Sequence, residues 1–181
     1  MNIEREVLCI VSQRLEKAGI LYMVTGSIAG NFYSVPRMTR DIDIVIEVKN
    51  EDAKSLLAAF EQDFYIDLES VQEAIQSRGM FNIIHKIYAF KIDFIIRKDS
   101  EYRKTEFERR KVIQSQGVPV SVVSLEDLIL SKLFWAKDSF SEMQLRDVRN
   151  LFRAGKNIDQ PYLDQWIPSL GLESVYQKVN Q

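Results

Sequence analysis

The spacing of apolar residues predicts helices and strands in alternation over the first two thirds of the chain, then helices alone. Val7, Ile10, Val11 and Leu15 recur at helical spacing with charged residues between them, which predicts a helix over Ile3 to Ala18, stopped by Gly19. The apolar run Ile20 to Val24 reads as a strand and Ile28 to Tyr33 as a short helix, ended by Ser34-Val35-Pro36 because proline disfavours a helical residue before it. Asp41 to Ile46 reads as a second strand. Lys49 to Asp52 is a turn leading into a helix over Ala53 to Phe60, and a further helix over Asp67 to Arg78 ends at Gly79. Two strands follow, Met80 to His85 and Tyr88 to Ile96. In the latter, Phe90, Ile92, Phe94 and Ile96 alternate with Lys91, Asp93 and Ile95. The highly charged stretch Glu101 to Lys111 is expected to be a solvated helix or loop, with a basic edge to a site as the sharper alternative. Lys111 to Gln114 and Val118 to Val123 read as a hairpin around Gly117.

From Ser124 onward the strands stop. Ser124 as N-cap with Asp127 three positions on approximates a capping box for a helix carrying Leu128, Leu130, Leu133, Phe134 and Trp135. The Phe134-Trp135 pair is expected in the core. Met143 to Phe152 is another helix, Leu163 to Trp166 opens a third and Leu172 to Val179 a fourth. The fold class is therefore α/β (α+β): a small mixed sheet flanked by helices, with a core over 1–123 and a helical C-terminal segment over 124–181 packed on it.

Composition narrows the function classes. A net charge of −2 gives no global basic field for nucleic acid. One cysteine, Cys9, excludes an internal disulfide and sits in an apolar helical pattern as packing. One histidine, His85, excludes sites needing several histidine ligands and is itself expected as a strand residue. No signal-like opening and no apolar run of membrane-spanning length is present, which predicts a cytoplasmic chain without a membrane partner.

The chemistry-bearing stretch is Val24-Thr25-Gly26-Ser27, followed by Arg37-Met38-Thr39-Arg40-Asp41-Ile42-Asp43. Gly26 at a strand end lets backbone amides approach a ligand closely. Ser27 supplies a hydroxyl and can cap the next helix, whose N-terminal amides suit phosphate oxygens. Asp41 and Asp43, two apart in a strand, share a face while Ile42, Ile44 and Ile46 take the other. Adjacent acids repel unless a cation lies between them, and a hard divalent ion with oxygen ligands fits. Asp93 is a single carboxylate within an apolar strand; unless it is paired with Lys91 or guards an edge, it too points to a site.

Gly26-Ser27 followed by Asp41-Ile42-Asp43 resembles the signature of the nucleotidyltransferase superfamily, the fold of DNA polymerase beta and of kanamycin and lincosamide nucleotidyltransferases. The Arg37-Met38-Thr39 lead-in resembles its bacterial stand-alone branch with type IV toxin-like nucleotidyltransferases, as do Leu125-Glu126-Asp127-Leu128, Lys132 and the Arg146-Asp147 pair. The resemblance implies Asp93 as the third carboxylate, with Asp41, Asp43 and Asp93 holding two Mg2+ ions, or Mn2+, and Asp93 as general base. It implies an NTP held by Gly26, Ser27 and Lys132, with Arg37 and Arg40 as phosphate or acceptor ligands. The surface alternatives are salt bridges for the two arginines, a solvent-facing Lys132, and pairing of Asp147 with Arg146 or Arg149. The function so implied is nucleotidyl transfer to a hydroxyl of RNA, protein or a small molecule. A tRNA or protein acceptor and a cognate antitoxin belong to the toxin-like resemblance. The competing class is a non-catalytic nucleotide- or partner-binding module.

Overall fold

The computed structural model describes residues 3–179. The chain runs α1 (Ile3–Lys17), β1 (Leu21–Thr25), α2 (Gly26–Tyr33), β2 (Asp41–Glu47), a 3-10 turn (Asn50–Asp52), α3 (Ala53–Phe60), β3 (Phe64–Tyr65), α4 (Leu68–Ser77), β4 (Met80–His85) and β5 (Lys91–Ile96). It continues with α5 (Glu101–Glu108), β6 (Lys111–Ser115), β7 (Val118–Val122), α6 (Leu125–Ala136), α7 (Glu142–Ala154), α8 (Gln160–Ser169) and α9 (Glu173–Val179). The strands form one mixed sheet in the order β3-β4-β5-β2-β1-β7-β6. The two central pairings are β1 with β2, antiparallel, and β2 with β5, parallel.

The expected alternation of β2 is realised: Ile42, Ile44 and Ile46 are fully buried, while Asp41, Asp43 and Val45 are half-buried on the opposite face. The isoleucine face continues through Phe94 of β5, opposite Ile44, and meets Phe60 of α3 at 5.6 Å between ring centroids. Phe81 of β4, opposite Phe94, extends it at 5.2 Å. This row of aromatic and branched side chains gives the sheet its driving force for burial. The same apolar cluster reaches Leu128 and Leu133 of α6, Val148 of α7, Leu163 of α8 and Val175 of α9, so the C-terminal helices share one core with the sheet.

Several expectations change. Tyr88 and Phe90 belong to the β4–β5 turn, not to β5, because the His85 amide donates to Phe90 O and Ala89 takes a left-handed φ of 51°. Helix α4 ends through Arg78 at φ 48°, before Gly79. The stretch Glu101 to Lys111 is not simply solvated: Glu106 is buried, and Arg103 donates to it at 2.7 Å. Trp135 is 71% exposed and Phe134 36%, so the pair lies outside the core. The two-residue β3 was not anticipated; so short a strand carries no period to read.

Candidate active site

Register assembles the carboxylates. On the parallel pair β2–β5, Asp43 stands opposite Asp93 and Asp41 opposite Lys91; on β1–β2, Thr25 stands opposite Asp43. Directly paired residues share a face of a sheet, so all three aspartates lie on one face, away from the isoleucines. Asn82 of β4, opposite Asp93, completes the row, and sequence reading had not singled it out.

Each acid has its own surroundings. Asp41 Oδ1 accepts from Thr39 Oγ1 at 2.6 Å. Asp93 is buried; its Oδ2 pairs with Lys91 Nζ at 2.7 Å, and its Oδ1 is buried without a hydrogen-bond partner among the described residues. Asp43 is pushed up to about 6, first by burial, then by the charges of Asp41 and Asp93. Lys91 is raised chiefly by its hydrogen bond to Asp93. No three acidic, histidine or cysteine side chains among the described residues are gathered closely enough to form a ready cation cage. Asp41 is turned toward Thr39 and Asp93 toward Lys91, which accounts for it.

Gly26 explains how the row meets α2. It takes φ 65°, and a Cβ placed there would lie 2.0 Å from Asp43 Oδ2. The side chain of Asp43 thus occupies space that only glycine leaves free. No side chain caps α2: its N-cap is Thr25, which makes no capping hydrogen bond. The expected capping role of Ser27 does not hold, because Gly26 already opens the helix and Ser27 falls within its first turn. Ser27 Oγ instead accepts from the Arg37 guanidinium. Among the described residues, no side chain accepts from the first-turn amides of α2, an arrangement suited to an anion.

Arg37 also donates to Asp147 Oδ2 at 3.3 Å, and its backbone is clamped by Asn31, whose Oδ1 accepts from Arg37 N and whose Nδ2 donates to Arg37 O, both at 2.9 Å. Lys132 is buried, not solvent-facing; its Nζ donates to Asp147 Oδ2 at 2.8 Å and to Gln144 Oε1 at 3.3 Å. Asp147 therefore pairs with Lys132 and Arg37 rather than with Arg146 or Arg149. Ser27, Asn31, Arg37, Lys132, Arg146 and Asp147 line a cleft of about 270 Å3. Sequence reading missed Asn31, which lies six residues from its partner, and Gln144, which lies one turn before Asp147 on α7. Arg40 is exposed and makes no ion pair among the described residues. His85 is buried against Phe64 and Tyr88, and its Nδ1 accepts from the Ile87 and Tyr88 amides, a packing role.

A nucleotidyltransferase-like protein from Paracoccidioides brasiliensis superposes with a TM-score of 0.58 at 18% identity, over 96% of this chain and 91% of that one. The antibiotic-resistance factor ANT(2″)-Ia gives a TM-score of 0.61 at 15% identity over 100% of both chains. The chain has the nucleotidyltransferase fold. That fold is shared with the lincosamide adenylyltransferase LnuA at a TM-score of 0.50 and 12% identity, over 78% of this chain and 91% of that one. No family model and no curated relative matches the sequence. Within the nucleotidyltransferase fold, the glycine turn, the β2 and β5 strands of the carboxylate row and the Lys132 helix come from four separate stretches of sequence. No helix among the described residues is long and apolar enough to cross a membrane.

Proposed function

We propose that the chain transfers a nucleoside monophosphate from an NTP to an acceptor hydroxyl. The observation that carries this is the register that sets Asp43 beside Asp93 on parallel strands, with Asp41 on the same face and the uncapped start of α2 against Asp43. The donor set is all oxygen, mutually repelling, and includes the unpartnered Asp93 Oδ1, which suits a hard divalent cation such as magnesium. When bound, such ions supply a lowered pKa for the acceptor hydroxyl and neutralise charge on the leaving pyrophosphate. Asp41, Asp43 and Asp93 would hold them.

The remaining steps belong to the chain's own groups. Gly26 and Ser27 amides face the outer phosphates. Lys132 exchanges its Asp147 partner for a phosphate oxygen, and Arg37 exchanges Ser27 or Asp147 likewise. Asp93 orients the acceptor hydroxyl and takes its proton once Lys91 has moved off. One similar structure is of the lincosamide antibiotic adenylyltransferase LnuA with lincomycin bound, and another is of ANT(2″)-Ia in complex with adenylyl-2″-tobramycin. For this chain the acceptor is a hydroxyl of RNA, protein or a small molecule, and a toxin paired with an antitoxin is one setting for it.

The competing reading, a module that binds nucleotide without transfer, rests on one observation: Lys91 already neutralises Asp93. Incubation with each NTP labelled at the α-phosphate, magnesium or manganese, and total cellular RNA and protein separates the two. Nucleotidyl transfer leaves the α-label on an acceptor and expels pyrophosphate, and Asp93→Ala abolishes the label. Calorimetric NTP binding without label on any acceptor supports the module instead. Absence of NTP binding with either metal removes both readings.

A further inference from the structure

The sheet has an unfinished edge. β3 pairs with β4 only at Phe64–His85 and Tyr65–Ile84, after which the chain leaves for α4, capped by Asp67. On the side away from β5, no strand among the described residues pairs with Met80, Phe81 and Asn82. In an antiparallel ladder, alternate residues turn their peptide groups to one neighbour and then the other. Ile96 N donates to Gly79 O and His85 N to Phe90 O, so the odd-numbered residues of this stretch face β5. The peptide groups of Met80 and Asn82 therefore face outward, on the line that Ile84 uses to meet Tyr65. A groove of about 840 Å3 runs beside them, between the β4 edge and α4.

Its walls settle the occupant. Among the described residues, Glu61 and Glu73 line it together with Asp67, whose Oδ2 caps α4 through Ser70, against one base, Lys86, whose ammonium is taken by the carbonyls of Glu61 and Gln62. Met80, Ile84 and Tyr65 add exposed apolar surface along it. An open strand edge supplies main-chain donors and acceptors to an extended segment, and alternate side chains supply the selectivity. A second copy of this edge would bring acids against acids, and a nucleic acid backbone would bring phosphate against them.

We infer that this groove docks an extended, lysine- or arginine-rich segment of a partner protein, which adds a strand alongside Met80 and Asn82. The added strand lies two strand spacings from Asp93, about 10 Å, so the partner sits beside the carboxylate row. Docking needs no nucleotide, so its failure leaves nucleotidyl transfer standing.

The test uses the full chain and a fluorescein-labelled heptapeptide of alternating lysine and valine, with a glutamate–valine peptide as control. The lysine peptide binds saturably and slows amide hydrogen exchange at Met80 and Asn82, while the glutamate peptide does neither. Met80→Pro removes one outward N–H at a strand start, where proline is tolerated, and abolishes binding without shifting the melting temperature. Should that variant fail to fold, Glu73→Lys, on the exposed face of α4, weakens lysine-peptide binding and leaves the fold intact. The proposal is overturned if exchange at Met80 and Asn82 is unchanged, if both peptides bind alike, if neither substitution weakens binding, or if single-stranded RNA protects the same two amides.

Discussion

A single missing atom, the Cβ of Gly26, lets Asp43 stand where it does. Gly26→Ala places a methyl group 2.0 Å from Asp43 Oδ2 and forces a left-handed φ on an alanine, which by itself costs about 1–2 kcal/mol. The expected result is a lowered melting temperature and lost NTP binding. Because the clash is with one side chain, the same substitution costs less in an Asp43→Ala background, and a double-mutant cycle by denaturant unfolding measures the difference. Equal costs in both backgrounds would show that strain alone, not the contact, is responsible. Asp43 also predicts a pH dependence. Its folded pKa lies above the unfolded value, so the folded chain keeps a proton that the unfolded chain releases, and stability falls as pH rises from roughly 4 to about 6. Above that window the penalty is complete, on the order of 3 kcal/mol. Asp43→Asn should flatten this fall and melt higher than wild type at pH 7, and magnesium should raise the wild-type melting temperature more than the variant's. A variant that melts lower at pH 7 sinks the repulsion argument. The shared face of Asp41 and Asp43 was readable because strand period is a local rule, whereas Asp93 was matched to them only through the family resemblance, since the β2–β5 register joins residues fifty apart. The partners of Ser27 and Lys132 were not readable, since Arg37 and Asp147 reach them through loop path and helix packing that no short-range pattern encodes.

Helix α6 carries the most connected polar group in the C-terminal half. Ser124 caps it as its sequence suggested, with Oγ accepting from Asp127 N at 3.2 Å. Its hydroxyl also donates to Asp127 Oδ2 at 2.6 Å. What could not be read was the rest: Asp127 is fully buried, accepts from Tyr162 Oη at 2.7 Å, and pairs with Arg109 Nε at 3.1 Å. These partners come from α8 and from the end of α5, too far along the chain for helical spacing to reveal. Burial and the hydrogen bond to Asp127 push the Tyr162 hydroxyl well above its usual range. Asp127→Ala takes the shared acceptor from Ser124 and Tyr162 and leaves half-buried Arg109 with only its longer pair to Glu126, so a loss of about 3 kcal/mol is expected in urea unfolding. Tyr162→Phe removes one charge-assisted bond and should cost about 1.5–3 kcal/mol. A smaller effect from Asp127→Ala than from Tyr162→Phe would show that the network is not centred on the carboxylate. The helices themselves were legible because apolar spacing and caps agree; β5 was overextended because Tyr88 and Phe90 keep the alternating pattern into a turn that their backbone makes.

For the molecule as a whole, the continuous apolar cluster predicts one cooperative unit. Both tryptophans, Trp135 and Trp166, lie in the C-terminal helices, whereas the strands lie before residue 123. Tryptophan emission and far-ultraviolet dichroism should therefore report one coincident melting transition, and two separated transitions would mean that the helical segment unfolds by itself. The sheet order gives the same arrangement a meaning in time. β1 is an interior strand of the sheet, next to the central β2, yet its other neighbour, β7, is nearly a hundred residues further along the chain. A ribosome adding roughly 5–20 residues per second leaves that side of β1 uncovered for on the order of 10 s. Lys132 emerges only after β7. The carboxylate row and its partner Lys91 can be in place before β7 and α6 arrive, but Lys132, the second cation acting on Asp43, cannot, so a half-made chain holds the three acids with one of those two lysines. Nascent chains should pass through a charge-frustrated, open-edged stage, and the last third of translation is what closes it.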